Sequence, residues 1–267
     1  MKRINLFEFE DLALFPNWLR ICLTRLIVVM HRLLNSADDL VPLIEQALEH
    51  SNHHTIVDLC SGSGGPMIEV FKVLAREKDN SNVKLILTDL YPDLETAAKI
   101  NQSALPNLSY KTSSVNASDV NAELTGVRTM VGSFHHMKPE IARKILMNAK
   151  ESRVPICIYE ISDNRLPTFL WWATIPVIFL MALFITPFVR PLTWKQLVFT
   201  YIIPVIPFCF AWDGAVSNVR TYTLEDLDIL LGGLESDDYR WEKGRIAKKG
   251  NKLYLLGLPI GNEQAIN

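Results

Sequence analysis

The chain is 267 residues long, room for one large domain or two small ones, and carries a formal net charge of −2 with 21% charged residues. That near-balance, with no interleaving of basic and aromatic residues, gives no electrostatic footprint for a nucleic-acid partner. The four cysteines, Cys22, Cys60, Cys157 and Cys209, form no C-x-x-C pair; this argues against a disulfide framework and fits reduced, buried thiols in a reducing cytoplasmic compartment.

In chain order, residues 1–11 are polar and acidic, unlike a cleavable signal peptide. Residues 17–35 (NWLRICLTRLIVVMHRLLN) place most of their polar side chains on one helical face and Leu, Ile, Val and Met on the other. Arg20, Arg25 and Arg32, with Trp18, suit a basic amphipathic helix lying on an anionic surface. The same pattern equally suits a helix that covers a catalytic cleft. Residues 36–50 predict a second helix, with Pro42 near its start and an apolar face of Leu40, Leu43, Ile44, Ala47 and Leu48.

Next, the β-prone Thr55, Ile56 and Val57 run into Asp58. A glycine-rich turn follows, Cys60-Ser-Gly-Ser-Gly-Gly65, and then an apolar helical pattern through Ile68, Val70, Phe71 and Leu74. Strand, tight turn and helix in that order build a nucleotide pocket at the carboxyl edge of an open α/β sheet. Pro66 falls at the helix start, where its missing N–H costs nothing. The dinucleotide fingerprint needs a third glycine where this chain has Met67, and no Walker Gly-Lys-Ser/Thr is present. Residues 83–89 (VKLILTD) predict a second strand ending in Asp89, where a carboxylate accepts hydrogen bonds from ribose hydroxyls. The polar residues 76–82 before it read as a surface loop. Residues 108–115 predict a third strand, followed by Asn116 and Ala117. Residues 127–137 (VRTMVGSFHHM) predict a fourth strand and its exit loop.

These pieces, in this order, resemble the class I S-adenosylmethionine (SAM) methyltransferases. The run from Asp58 is similar to their motif I, D-x-G-x-G-x-G: Asp58, Gly62 and Gly64 match, and Cys60 replaces the first glycine. Asn116-Ala117 stands where the family often has an Asp-Ala pair beside adenine. The run from Val127 to Met137 is similar to motif IV, where Ser-Phe-His-His variants recur. The resemblance spans residues 54–163. It implies an α/β, Rossmann-like class I methyltransferase fold with a seven-stranded mixed sheet, and SAM as cofactor. It also implies that Gly62 and Gly64, with Cys60 in the same loop, meet the methionine end of SAM. Asp58 would lie near the ammonium, Asp89 on the ribose, Asn116 and Ala117 along the adenine, and Phe134 near cofactor or substrate.

Residues 154–161 (VPICIYEI) predict a fifth strand. Residues 166–189 then run 24 positions without a charge and residues 196–212 another 17, which accounts for a positive mean hydropathy. A helix of about 20 apolar residues crosses a bilayer core. Pro176, Pro187, Pro204 and Pro207 kink helices but are tolerated in lipid. Trp171, Trp172, Trp194 and Trp212 lie at or near the segment ends, suited to headgroup depth. Beyond Asp213 the sequence predicts a loop, then a helix capped by Thr223 ahead of Glu225 and Asp226. Residues 239–246 and 252–260 predict a closing hairpin. The organisation is thus a helical cap (1–50), a SAM-binding core (51–163), a hydrophobic hairpin inserted after strand five (164–212) and the remainder of the core (213–267). The hairpin is a pair of spanning helices, a re-entrant wedge or the lid of a soluble enzyme. Arg190 and Lys195 at its tip disfavour a tip outside the cell.

Methyl transfer from a sulfonium asks the protein for alignment and, for some acceptors, a base. His135 and His136 follow the fourth strand and have the side chain suited to that base. Arg220 and Tyr222, where the insert rejoins the core, are candidates to bind a phosphate or carboxylate of an amphiphilic substrate. Glu160 and Asp163 end the fifth strand without an assigned role. His50, His53 and His54 cluster without Cys or carboxylate partners at familiar spacings, so no metal site is expected. The leading reading is a membrane-associated SAM-dependent methyltransferase with its catalytic domain in the cytoplasm. Its partners would be the lipid bilayer and a hydrophobic or amphiphilic acceptor. The alternatives are a soluble small-molecule methyltransferase with a hydrophobic lid and a non-catalytic membrane-anchored SAM-binding protein.

Overall fold

The computed structural model describes residues 1–76 and 82–261; most of the loop expected at 76–82 lies outside the described residues. An N-terminal strap, with a 3-10 turn at Phe9–Asp11, leads into α1 (Asn17–Leu33) and α2 (Ser36–Glu49). The core follows as β1 (Thr55–Asp58), α3 (Met67–Leu74), β2 (Lys84–Leu87), α4 (Leu94–Asn101), β3 (Leu108–Tyr110), β4 (Val127–Val131), α5 (Pro139–Glu151) and β5 (Ile156–Glu160). The insert comprises α6 (Thr168–Ala173), α7 (Ile175–Ile185), α8 (Trp194–Leu197) and α9 (Val205–Arg220). The chain closes with α10 (Leu224–Leu231), β6 (Tyr239–Ile246) and β7 (Lys252–Pro259).

The seven strands form one sheet in the order β3-β2-β1-β4-β5-β7-β6. Strands β1 to β5 pair in parallel, and β7 is antiparallel to both β5 and β6. This is the mixed sheet of the Rossmann-like class I methyltransferase fold. Strand residues alternate between two buried layers, as the two-residue period requires. Val57, Met130, Ile156, Ile158, Leu253 and Leu255 face α5 and α10. Ile56, Val127, Cys157, Tyr159, Leu256 and Leu258 face α2 and α3. Because β1, β2, β4 and β5 run the same way, their C-terminal loops all leave from one edge, where an open α/β sheet binds its ligand.

A third apolar cluster lies beyond the sheet. Leu19, Cys22, Leu23, Leu26 and Val29 of α1 pack on Ala182, Ile185, Ile206, Cys209 and Phe210 of α7 and α9. The apolar face of α1 is therefore covered by the hairpin, as the covering role expected for it requires. Two corrections follow. Asp213 lies within α9 rather than in a loop, because its carboxylate accepts the backbone N–H groups of Phe9 (2.6 Å) and Glu10 (3.3 Å) from the strap. The boundary drawn at 212/213 thus falls inside a helix. Strand β3 stops at Tyr110, five residues short of the expected end. Thr223 does cap α10, in a reciprocal capping box with Asp226.

Three thiols, Cys22, Cys157 and Cys209, are buried as expected, whereas Cys60 is partly exposed; all four are free. The first apolar segment forms a nearly continuous helical run, Thr168–Phe188, long and apolar enough to cross a membrane. The second is broken: the helical segments Trp194–Ile202 and Val205–Arg220 meet at 81°.

Candidate active site

The loop after β1 is built on Asp58. Its carboxylate accepts from Ser61 Oγ at 2.6 Å and from Thr129 Oγ1, on neighbouring β4, at 2.7 Å. Burial pushes its pKa up to about 7, against those two hydroxyls, which pull it down. The main chain then turns through left-handed conformations at Cys60 (φ 59°), Gly62 (51°) and Gly64 (94°). At Gly64 a Cβ would stand 2.6 Å from Ile68 Cδ1, which can swing aside, so it is the φ of 94° that disfavours any other residue there. Gly62 is open: nothing lies within 4 Å of where its Cβ would be. Cys60 takes the left-handed turn without glycine's freedom, a conformation that costs about 1–2 kcal/mol. Burial, then Asp89, raises its thiol pKa to about 12, so it remains a neutral thiol.

Asp89 comes two residues after the end of β2 and binds this loop. Its Oδ2 accepts the Gly62 N–H at 2.9 Å and its Oδ1 the Tyr91 N–H, also at 2.9 Å. Tyr110, at the end of β3, donates its hydroxyl to the Gly62 carbonyl at 2.8 Å. Val115 N–H bonds the Asp89 carbonyl at 2.8 Å and so brings the next loop alongside. In that loop Asn116 is exposed and folds its side chain back on Ser118, while Ala117 is buried. The structure thus gathers Asp58, Cys60, Gly62, Gly64, Asp89, Asn116 and Ala117 at the C-terminal edge of β1–β3. An open glycine turn facing a half-buried acid is a surface that fits a nucleoside with a charged tail.

The second group stands at the ends of β4 and β5. Phe134–His136 form a 3-10 turn after β4. His135 is buried and tied twice to Glu160 at the end of β5. Its Nδ1 lies 2.9 Å from Oε2, and its backbone N–H donates to Oε1 at 3.0 Å. His136 Nδ1 lies 3.0 Å from Asp11 Oδ1 on the strap. Although burial alone would lower the pKa of His136, Asp11, Glu8 and Glu10 raise it to about 9. Burial would raise the pKa of Glu160, but the adjacent His135 holds it below the usual carboxylate range.

Other candidates are committed elsewhere. Phe134 is buried in the core against Tyr222, ring centroids 5.3 Å apart, so it does not line an open cleft. Tyr222 is likewise buried. It donates its hydroxyl to the Met137 carbonyl at 2.6 Å and carries the Arg3 guanidinium over its ring. Arg220 is buried between Glu8 (3.0 Å) and Asp11 (2.5 Å). Its charge is therefore neutralised from within, which corrects the expectation that it and Tyr222 hold an anionic substrate group. Sequence reading missed Glu8, Glu10 and Asp11. The only signal was a cluster of acids in a segment with no periodicity.

No family model matches the chain, and no curated protein matches it. Among solved structures, it is similar to a magnesium protoporphyrin IX methyltransferase from Synechocystis with bound SAM. The identity is 9% over 85% of this chain and 79% of that one, with a TM-score of 0.46. It is also similar to the pyocyanin biosynthetic protein PhzM (13%; 81% and 53%; 0.47) and the CMeT domain of the citrinin polyketide synthase (12%; 76% and 46%; 0.44). The chain spans about half the length of these last two. The fold is defined by the strand order itself, to which likenesses at these scores add nothing.

Proposed function

We propose that the protein is a SAM-dependent methyltransferase acting at a membrane face on a lipid or other hydrophobic acceptor. The observation that carries this reading is one of placement. The turn at Cys60–Gly64, Asp89, the histidine pair and the start of the apolar insert all leave the same edge of the sheet. SAM would lie across β1 and β2, with its methionine end against the Gly62–Gly64 backbone and its ribose on Asp89. Asp58 would act through the loop it shapes, and Asn116 and Ala117 would border the adenine.

In the reaction the acceptor's lone pair attacks the sulfonium methyl carbon. The S–CH3 bond breaks, and S-adenosylhomocysteine leaves as a neutral thioether. An acceptor hydroxyl must also lose its proton, which His135 or His136 would accept when no cation holds its Nε2. SAM itself supplies the activated methyl group; the chain supplies orientation and the base.

The insert supports the membrane part of the reading. Val177, Leu180, Phe184, Phe188, Ile202 and Phe208 are exposed, with Phe184 at 75% and Ile202 at 74%. Val177, Leu180 and Phe184 recur at helical spacing on one face of α7, and exposed apolar side chains grouped in this way mark an interaction site. The 81° break between Trp194–Ile202 and Val205–Arg220 favours a wedge seated in one leaflet over two spanning helices, since neither piece alone reaches about 20 residues. The packing of α1 on the hairpin favours the second reading, a soluble enzyme with a lid.

The test is incubation of the full chain with methyl-labelled SAM and total lipid extract. Label should appear in the organic phase. Label confined to a water-soluble product would overturn the lipid acceptor, and full recovery in the supernatant after detergent-free extraction would favour the lid.

A further inference from the structure

Two imidazoles and a carboxylate from opposite ends of the chain converge beside β4 and β5. Both rings are fixed at Nδ1, His135 by Glu160 at 2.9 Å and His136 by Asp11 at 3.0 Å. Each therefore turns Nε2 toward Glu8. His136 Nε2 lies 3.7 Å from Glu8 Oε2, and His135 Nε2 lies 3.9 Å from Glu8 Oε1. One ligand atom from each of the three residues falls within 4.8 Å of the other two.

These gaps are too long for hydrogen bonds. His135 Nε2 and Glu8 Oε2 are buried without any hydrogen-bond partner. The Glu8 side chain is 0% exposed and that of His135 only 7%. A buried polar atom left unpaired costs about 1–3 kcal/mol, and a cation between these atoms would satisfy them together. Two histidines whose far nitrogens are each held by a carboxylate form the outer arrangement that orients metal-binding imidazoles. Arg220 sits 3.0 Å from Glu8 Oε1, which leaves Oε2 as the free oxygen. Glu10 offers another oxygen 3.9 Å from His136 Nε2. Around the rings, the carboxylates of Glu8, Glu10, Asp11 and Glu160 outnumber two guanidinium groups, Arg220 on Glu8 and Asp11 and Arg3 on the His135 carbonyl at 2.7 Å.

We propose that Glu8, His135 and His136 form a binding site for one first-row divalent cation, with the N-terminal strap supplying the carboxylate. Two imidazole nitrogens and one oxygen match the preferences of that class of ion. Tetrahedral bonds of about 2.0–2.2 Å to such an ion put donors roughly 3.4 Å apart, so atoms that now lie within 4.8 Å of one another draw together on binding, by up to about 1.4 Å for the widest pair. Sequence spacing hides the site because Glu8 and the histidines lie at far separated positions. Occupied, it would polarise an acceptor hydroxyl directly; that use, unlike binding itself, rests on the methyl-transfer reading above.

The test is titration of the full chain with CoCl2 in the absence of SAM, followed by visible absorption and calorimetry. One saturable equivalent with d–d absorption is expected. Affinity should fall at least tenfold in Glu8→Gln and in His135→Ala, and tenfold to a hundredfold in Glu160→Gln. A control, His53→Ala/His54→Ala, should bind like the wild type. Absence of a saturable equivalent, or binding lost only in the control, would overturn the site. Should the Glu8 variant not fold, MnCl2 added to the wild type should selectively broaden the His135 and His136 ring-proton resonances. Broadening at His53 and His54 alone would contradict the proposal. Methyl transfer is measured separately, so failure of either leaves the other standing.

Discussion

Glu160 holds His135 by two bonds, accepting from its backbone N–H at 3.0 Å and meeting its ring Nδ1 at 2.9 Å. The carboxylate thereby fixes both the position of the turn and the tautomer that leaves Nε2 available. Glu160→Gln keeps the shape but replaces one accepting oxygen with an NH2 donor. We expect turnover to fall about 10- to 100-fold while SAM affinity changes less than twofold. Initial rates with labelled SAM, beside calorimetry for binding, check both halves. An unchanged rate would remove Glu160 from the positioning role.

Cys60 occupies a left-handed turn at φ 59°. Replacing it by glycine relieves about 1–2 kcal/mol of backbone strain, less about 0.4–1 kcal/mol for the freer unfolded chain. Cys60→Gly should therefore raise stability in urea by roughly 0.5–1 kcal/mol and retain SAM binding. Gly64→Ala should do the reverse, since a side chain is strained at φ 94°. A destabilised Cys60→Gly would show that the thiol contributes packing that outweighs the strain.

His31, buried in α1 with Nδ1 2.9 Å from Ser36 Oγ, is kept neutral in the fold. Burial lowers its pKa from 6.5 to about 4, and Lys252 adds to the effect. Once unfolded it binds a proton more readily, so its contribution to stability is full above about pH 6.5 and is lost as the pH falls toward 4. The loss is on the order of 3 kcal/mol. Urea midpoints measured across this window should fall more steeply in the wild type than in His31→Gln; parallel curves would contradict the assignment.

Behind the sheet, Lys252 and Asp39 form a buried pair at 2.5 Å, and Tyr159 donates to the same carboxylate at 3.1 Å. Lys252→Met strands the Asp39 charge and should cost about 3–5 kcal/mol. Lys252→Met/Asp39→Leu should recover most of that loss, since no buried charge remains. Chemical denaturation of the single and double variants separates a stranded charge from lost packing.

Leu180 and Phe184 lie on the exposed face of α7. Leu180→Glu/Phe184→Glu should leave the fold intact and reduce co-sedimentation with phosphatidylethanolamine/phosphatidylglycerol vesicles at least tenfold, because charged side chains cost several kcal/mol in hydrocarbon. Equal sedimentation of both proteins would remove the hairpin from membrane docking.

Much of the fold was legible because local signals and tertiary packing agree. The turn at Cys60–Gly64, the acid after β2, the capping residue Thr223 and the β6–β7 hairpin all carry their own chemistry. The insert was legible from its charge-free length. What escaped was set by contacts distant in sequence. Asp213-Gly214 reads as a turn, yet strap N–H groups satisfy the carboxylate and α9 runs through. Arg220 looks like a free guanidinium until Glu8 and Asp11 meet it. The amphipathic face of α1 announces burial without saying whether lipid or protein covers it, and the apolar side of the hairpin covers it. Glu8 itself sits in a segment with no helical or strand period, so nothing local pointed to the histidines.

The central claim is that the crevice above β1 and β2 holds SAM. Isothermal calorimetry of the folded full chain with SAM and with S-adenosylhomocysteine tests it most directly. One equivalent of each should bind, and Asp89→Ala should weaken binding at least tenfold because the ribose acceptor and the loop anchor at Gly62 go together. No heat from either ligand with folded protein, or binding unaffected by Asp89→Ala, would contradict the account.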